Sequence, residues 1–520
     1  MNLDEFLYKL HYESEKIIPS GWEANWNDAP LPFKLYRELP AIKLSSDIPF
    51  ALETAGGKSE ISLETVSHLL WFTYGLTQIS QTLPFEDLAQ PWTMCRRFVP
   101  SGGALYPNEL YLYLKIEDLP AGIYHYDVSH HRLVCLREGN FDDYLTKALG
   151  GGCDIPASFC TVFISVFFWK NFFKYHNFSY RLQGLDTGFV ISQLLETGKR
   201  LGMETGVYYQ FLDRAVNHLI GINDQEESVY AVVPLSMDTE MNWFLRTGDE
   251  RDTSDANELC CELEPLHHAH YVRSKEIRDY RMIRKLNEAS MIDVFPSNQQ
   301  MEEKQTEDSR HSLILPSANR LTYDFPSASR RRYSPGMDFV LKEMNTQTLS
   351  FLLFETISAS SYRNDIDQDI QPIDRVSLYL AAYMTEHLPN GAYMYDGPSH
   401  TLKHVEYGDL RSALQDSLLS DFVNMSQIPF CFNIVGNKNH HQRKFGYRGH
   451  RIQHMEAGFL SHKLLLAASA LNLSGHPILG FNVSRYDALY QLSKKGQRSL
   501  LQIPVGHCRP HPRLQGSLHT

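Results

Sequence analysis

Four short stretches carry residue types that could do chemistry. PSGGALYP (Pro100–Pro107) opens with Ser101 and two adjacent glycines, Gly102 and Gly103. Paired glycines let a backbone approach a ligand closely, and a serine offers a hydroxyl where a turn begins; the same letters also make an ordinary tight turn. SRRRYSP (Ser329–Pro335) sets Arg330, Arg331 and Arg332 in a row ahead of an apolar helix. Guanidinium forks match phosphate oxygens bidentately, although such a run also reads as a solvated basic patch. Lys174–Tyr175 puts an amine beside a phenol just before a long helical stretch. That pair can accept and donate a proton if its surroundings shift both pKa values, while Lys-Tyr dipeptides are common on surfaces. HPILGF (His476–Phe481) is a turn that could present backbone N–H groups to a heterocycle, or could simply open a strand.

Metal chemistry is not expected. The 23 histidines include a cluster, His267, His268 and His270, and a pair, His440–His441, and neither has a ligand spacing such as HExxH. Both groups read as solvated polar loops. The eight cysteines contain no CxxC pair, so neither a zinc site nor a disulfide framework is indicated.

The elements that must position these residues come in two copies. Leu119–Leu133 matches Leu388–Leu402 at an offset of 269 (388 against 119). Phe172–Phe189 matches Gln442–Phe459, and Val232–Ser236 matches Gln502–Gly506, both at 270 (442 against 172; 502 against 232). Upstream, Ser67–Phe72 best matches Leu349–Phe354 at 282 (349 against 67), so the second copy has lost about a dozen residues in between. PSGGALYP has no counterpart there, the aligned stretch being Ile370–Ser377. Subtracting 282 from Arg330–Arg332 lands on Ile48–Phe50, where the first copy has no arginine. Lys174–Tyr175 becomes Lys444–Phe445, so the phenol is lost.

Each copy reads as α+β. A helix opens it (63–76; 346–357), and a Tyr- and Leu-rich strand follows the glycine loop (109–115). A long helix with one buried face follows (about 181–201; 451–471), and an apolar strand closes the copy (230–234; 500–504). The predicted organisation is an N-terminal segment (1–50), a first domain (51–238), a polar connector (239–318) with one helix at 274–288, and a second, diverged domain (319–520).

A chain of 520 residues, 43% hydrophobic and 21% charged, is globular and long enough for two domains. Its net charge of −12 argues against a nucleic-acid footprint or an anionic membrane surface. No apolar run reaches the roughly 18–20 residues that span a bilayer, and the N-terminus does not read as a signal peptide. A cytoplasmic location is expected.

SGGALYPNELYLYL, followed by LPAGIYHYD and KYHNFSYRLQGLDTG, resembles the SagB-type (McbC-like) dehydrogenases of the FMN-dependent nitroreductase superfamily. The stretch Leu10–Leu44 is similar to that family's leader region. The resemblance implies two nitroreductase-like domains in tandem, an intrachain pseudo-dimer with FMN between them. It implies that Arg330, Arg331 and Arg332 hold the phosphate, with Arg509 as a further candidate. Ser101, Gly102 and Gly103 would complete the cradle, and the backbone at Leu479 and Gly480 would face the flavin N5 edge. Each copy keeps a different half of the site, so one FMN per chain is expected. Lys174 and Tyr175 would carry proton transfer while thiazoline or oxazoline rings of a modified peptide become azoles, dioxygen then reoxidising the flavin. A peptide or small-molecule substrate and a cyclodehydratase complex are the expected partners. The alternatives are an NAD(P)H-dependent nitro- or quinone-type reductase on the same fold, and an inactive scaffold subunit of a peptide-modifying complex.

Overall fold

The computed structural model describes residues 1–49, 52, 61–82, 92–244, 254–295, 312–367, 375–509 and 514–517. In chain order the strands of the first half are β1 (Ala41–Lys43), β2 (Leu76–Thr82), β3 (Trp92–Arg97), β4 (Asn108–Leu114), β5 (Gly122–Asp127), β6 (Arg132–Glu138), β7 (Cys160–Phe167), β8 (Glu204–Thr205) and β9 (Glu227–Ser236). Those of the second half are β10 (Ser312–Ile314), β11 (Phe339–Val340), β12 (Val376–Ala382), β13 (Gly391–Asp396), β14 (Thr401–Tyr407), β15 (Phe430–Asn437), β16 (Ser474–Gly475), β17 (Gln497–Cys508) and β18 (Leu514–Ser517). They form two antiparallel sheets of matching order, β1-β6-β5-β4-β7-β9-β8 and β10-β14-β13-β12-β15-β17, where β16 pairs with β17 as β8 pairs with β9. Central strands such as β7 (CTVFISVF) are β-branched and aromatic on both faces because both faces are covered.

The helices that matter for the site are α1 (Leu3–Tyr12), α2 (Leu63–Tyr74), α3 (Trp169–Tyr175), α4 (Ser179–Arg200), α5 (Phe325–Arg331), α6 (Thr346–Ser358) and α7 (Arg448–Ala470). The long helices α4 and α7 were expected to bury one face each. Nearly every side chain on both is buried, because each lies on its own sheet with one side and on the other helix with the opposite side. Their crossing is built on glycine. A Cβ at Gly188 would overlap the Met455 carbonyl oxygen, and one at Gly458 would overlap that of Leu185. These contacts exchange under the 270-residue offset, and one continuous apolar core runs through both halves.

Paired hydrogen bonds fix the register of the repeat. Ser67 Oγ meets His131 Nε2 at 2.9 Å while Tyr126 Oη holds the other ring nitrogen; Ser350, His400 and Tyr395 repeat the arrangement. Helix α2 is capped by Ser62, and α6 by Asn345. The upstream offset is therefore 283 (345 against 62), one more than the match of apolar letters indicated. The second half is also the longer one between its edge strand and this helix, residues 315–345 against 44–62, and α5 lies in that stretch. The arginine run thus belongs to an extended segment and is not a mutated version of Ile48–Pro49; Phe50 and Ile370–Asp374 lie outside the described residues.

Two boundaries shift. Strand β1 of the N-terminal segment pairs with β6, and β10, inside the expected connector, pairs with β14, so each sheet recruits its edge from the flanking segment. The connector helix spans Arg281–Glu288 only, because Asp28 accepts the N–H groups of Lys275 and Glu276 and holds that stretch out of helical geometry. The halves also exchange ends. Strand β18 pairs with β2 to make a three-stranded sheet with β3, and α1 packs on the second half, with Tyr447 donating to Asp4.

Candidate functional site

Helix α3 ends at Lys174–Tyr175 because His176 turns to positive φ (49°) before α4 begins. Both side chains stand against the glycine loop. Gly103 has φ 64°, and a Cβ there would lie 2.7 Å from Tyr175 Oη and 3.1 Å from Lys174 Nζ, so only glycine admits this approach. Burial pulls the Lys174 amine down and pushes the Tyr175 phenol up, the latter with help from the Asp186 charge. Each is shifted toward its neutral form.

The loop is held from below by Asp186 on α4. Ser101 Oγ donates to Asp186 Oδ2 at 2.6 Å, Gly102 N–H donates to Oδ1 at 3.3 Å, and Ser101 Oγ accepts from Tyr106 N–H at 2.9 Å. Burial pushes the carboxyl of Asp186 up to about 7. The sequence reading missed this residue, although the repeat contains a signal: LDTG and MEAG place Asp186 and Glu456 at one position, an acid in both halves.

The three arginines part company. Arg332 is buried, donates from Nε to Phe98 O at 3.1 Å, and so reaches the segment that leads into the glycine loop of the other half. Burial and the neighbouring Arg96 pull its pKa down to about 9, and among the described residues no carboxylate pairs with it. It is a cation short of an anion. Arg331 is exposed and turns to the end of α7, donating to Asn472 Oδ1 and Ser469 O. Arg330 is half-buried beside them. His476 Nδ1 bonds to Pro335 O at 2.6 Å, and Arg509 N–H donates to Asp338 O at 2.8 Å, so the arginine segment, the HPILGF turn and the exposed Arg509 gather at one end of the second sheet.

The HPILGF turn and its counterpart in the first half differ in one informative way. Ile478 exchanges backbone bonds with Gln502 just as Tyr208 does with Val232. The next two N–H groups of the first half, Tyr209 and Gln210, donate to Asp365 Oδ1 and Oδ2 at 2.9 and 2.8 Å. Tyr362 fills the space beside them, bonding Tyr209 Oη at 2.7 Å and packing on Phe459. The equivalent N–H groups of Leu479 and Gly480 have no acceptor among the described residues. In one turn the two donors are taken by the chain's own side chain, while in its twin they are left without an acceptor among the described residues. No sequence signal identified Tyr362 or Asp365, since their segment has no recognisable match in the first half.

The histidines fall differently from expectation. His440 and His441 are buried, not solvated, and His268 and His270 pack along the first sheet, His268 bonding Leu136 O. His11, His450 and His454 bring ring nitrogens within 4.8 Å of one another. The buried guanidiniums of Arg181 and Arg498 face the same cluster and, among the described residues, Asp487 is the carboxylate set against them, so the charge balance disfavours a cation.

Residues 261–507 match the family model described as Nitroreductase family. The chain is 27% identical over 228 residues to the trifolitoxin-processing protein TfxB of Rhizobium leguminosarum bv. trifolii, an alignment covering 41% of this chain and 58% of that relative's length. Among solved structures, a candidate nitroreductase from Anabaena variabilis superposes with a TM-score of 0.75 at 20% identity, covering 98% of this chain and 99% of its own, so the whole two-sheet arrangement recurs there. The E. coli microcin synthetase McbBCD complex aligns over 45% of this chain and 91% of its own at 20% identity and a TM-score of 0.29.

Proposed function

From the premise that this chain carries a nitroreductase-family domain, we propose that it is an FMN-dependent dehydrogenase whose two halves form an intrachain pseudo-dimer around a single flavin. The reading rests on the contrast between the twin turns. Tyr209 and Gln210 spend their N–H groups on Asp365, whereas those of Leu479 and Gly480 await an acceptor such as the N5 edge of an isoalloxazine. Arg332, buried without an anion among the described residues, suits a phosphate, and the more exposed Arg330 and Arg509 are further candidates for it. Bound there, FMN supplies the hydride acceptor.

The chain's own residues supply orientation and proton transfer. Lys174, its amine drawn toward the neutral form, takes the acidic ring proton of the substrate; Tyr175 stays a neutral phenol and donates a hydrogen bond to the developing charge. The glycine loop sets both groups to one side of the cradle. The likeness to TfxB, a toxin-processing protein by name, favours a modified peptide as substrate, with its thiazoline or oxazoline rings as the oxidised group, and a peptide-modifying complex with a cyclodehydratase as the setting.

Purified protein is expected to bind about one FMN per chain. With a thiazoline-containing peptide as probe, Lys174→Ala and Tyr175→Phe should lose turnover at least 100-fold while keeping the flavin, consistent with the 10²–10⁴ that general acid–base catalysis contributes. Full activity in both variants would sink the proton-transfer roles. Rapid bleaching by NAD(P)H alone would reassign the protein to the reductases, and protein that cannot take up FMN would make it a scaffold.

A further inference from the structure

The carboxyl of Asp186 is an isolated buried acid at the floor of the site. Among the described residues no ammonium or guanidinium pairs with it; its partners are the Ser101 hydroxyl and the Gly102 N–H. Its counterpart, Glu456, is held in the second half by Arg375, which is also paired with Asp367. A neighbouring cation favours the ionised form of a buried acid, whereas burial without one favours the neutral form. Around Asp186 the titratable groups are Tyr175 and Lys174 at the end of α3 and Tyr74 on α2, the last with Arg97 of β3 over its ring at 3.9 Å. In the proposed reaction Tyr175 donates a hydrogen bond to the developing charge, and the Asp186 charge acts on it directly.

We propose that Asp186 is a positioning residue that couples the loop Ser101–Gly103 to the proton inventory of the site, its protonation setting how strongly the Tyr175 phenol shares its proton in a hydrogen bond. The step is a single exchange of one proton between solution and the carboxyl, with no bond to carbon made or broken. Ionised, Asp186 accepts from Ser101 and Gly102, clamps the loop and holds Tyr175 in the phenol form. Protonated, it removes the negative charge beside Tyr175. The inference rests on the dehydrogenase reading for its effect on rate, and on the carboxyl's burial without a cation for its titration.

Two measurements separate those dependencies. In FMN-loaded wild type, difference infrared spectroscopy should show a carboxyl proton lost with a midpoint near 7, absent from Asp186→Asn, which keeps an oxygen acceptor for the loop. Ser101→Ala, by removing the bond that favours the ionised form, should move that midpoint upward. In the thiazoline-peptide assay, wild type should change rate through the same midpoint in kcat, not KM. Asp186→Asn should hold across pH 6–8 the value that wild type reaches on the acid side, and Tyr175→Phe should abolish the step. A carboxyl titrating below pH 5, or an Asp186→Asn profile matching wild type, overturns the proposal. An inert wild type with the infrared titration intact would overturn the dehydrogenase reading and leave the carboxyl's isolation established.

Discussion

At the scale of single residues, neighbouring identical side chains carry unequal duties. Arg331 bonds the exposed end of α7, whereas Arg332 is buried against Phe98 of the other half. Arg332→Ala should lower FMN retention by roughly 1.5–3 kcal/mol, the worth of a charge-assisted bond, and Arg331→Ala by much less; equilibrium dialysis of both variants would decide, and equal losses would refute the distinction. Asp186 also has a signature in stability. Its folded-state pKa of about 7 lies above its ordinary 3.8, so its contribution is complete below about pH 4 and is lost as pH rises through 7. Asp186→Asn does not titrate and should therefore gain on wild type with rising pH, by up to about 4 kcal/mol between the two ends. Urea unfolding at pH 5 and pH 8 would show it; a pH-independent difference would contradict it.

At the scale of elements, the α4–α7 crossing is the most constrained contact. Gly188 and Gly458 each face a carbonyl oxygen of the opposite helix, and backbone cannot turn aside as a side chain can. Gly458→Ala should therefore cost about 3 kcal/mol or more, read as a fall in the denaturation midpoint; a loss below 1 kcal/mol would mean that the helices slide apart cheaply. Elements were where the sequence was most legible. The repeat placed the paired long helices and closing strands to within a few residues, since buried β-branched strands and apolar helices leave strong periodic marks. The register of α2 against α6 was missed by one residue because it is set by the caps Ser62 and Asn345 and by a Ser-His-Tyr triad, not by apolar letters. The role of Asp365 was invisible for a similar reason: it acts through two backbone N–H groups, and backbone donors have no letter in the sequence.

At the scale of the molecule, both walls of the proposed site come from one chain, Arg332 and Leu479–Gly480 from one half and Ser101–Gly103 from the other. At a fixed free FMN concentration, flavin occupancy should therefore be the same when the protein is diluted 100-fold, as measured by flavin fluorescence; occupancy that falls with protein concentration alone would show that a second chain completes the cradle. Within the described residues no helix is long and apolar enough to cross a membrane.

The exchange of ends has a consequence for how the protein is made. Residues 76–82 are translated more than 400 residues ahead of their partner strand, 514–517. At about 5–20 residues per second, the first half waits roughly 20–90 s with that edge of β2 unpaired. An unpaired strand edge in a nascent chain attracts other chains. The wait for residues 514–517 is thus a stage at which this edge needs protection, and slowing synthesis should raise the share of chains that aggregate.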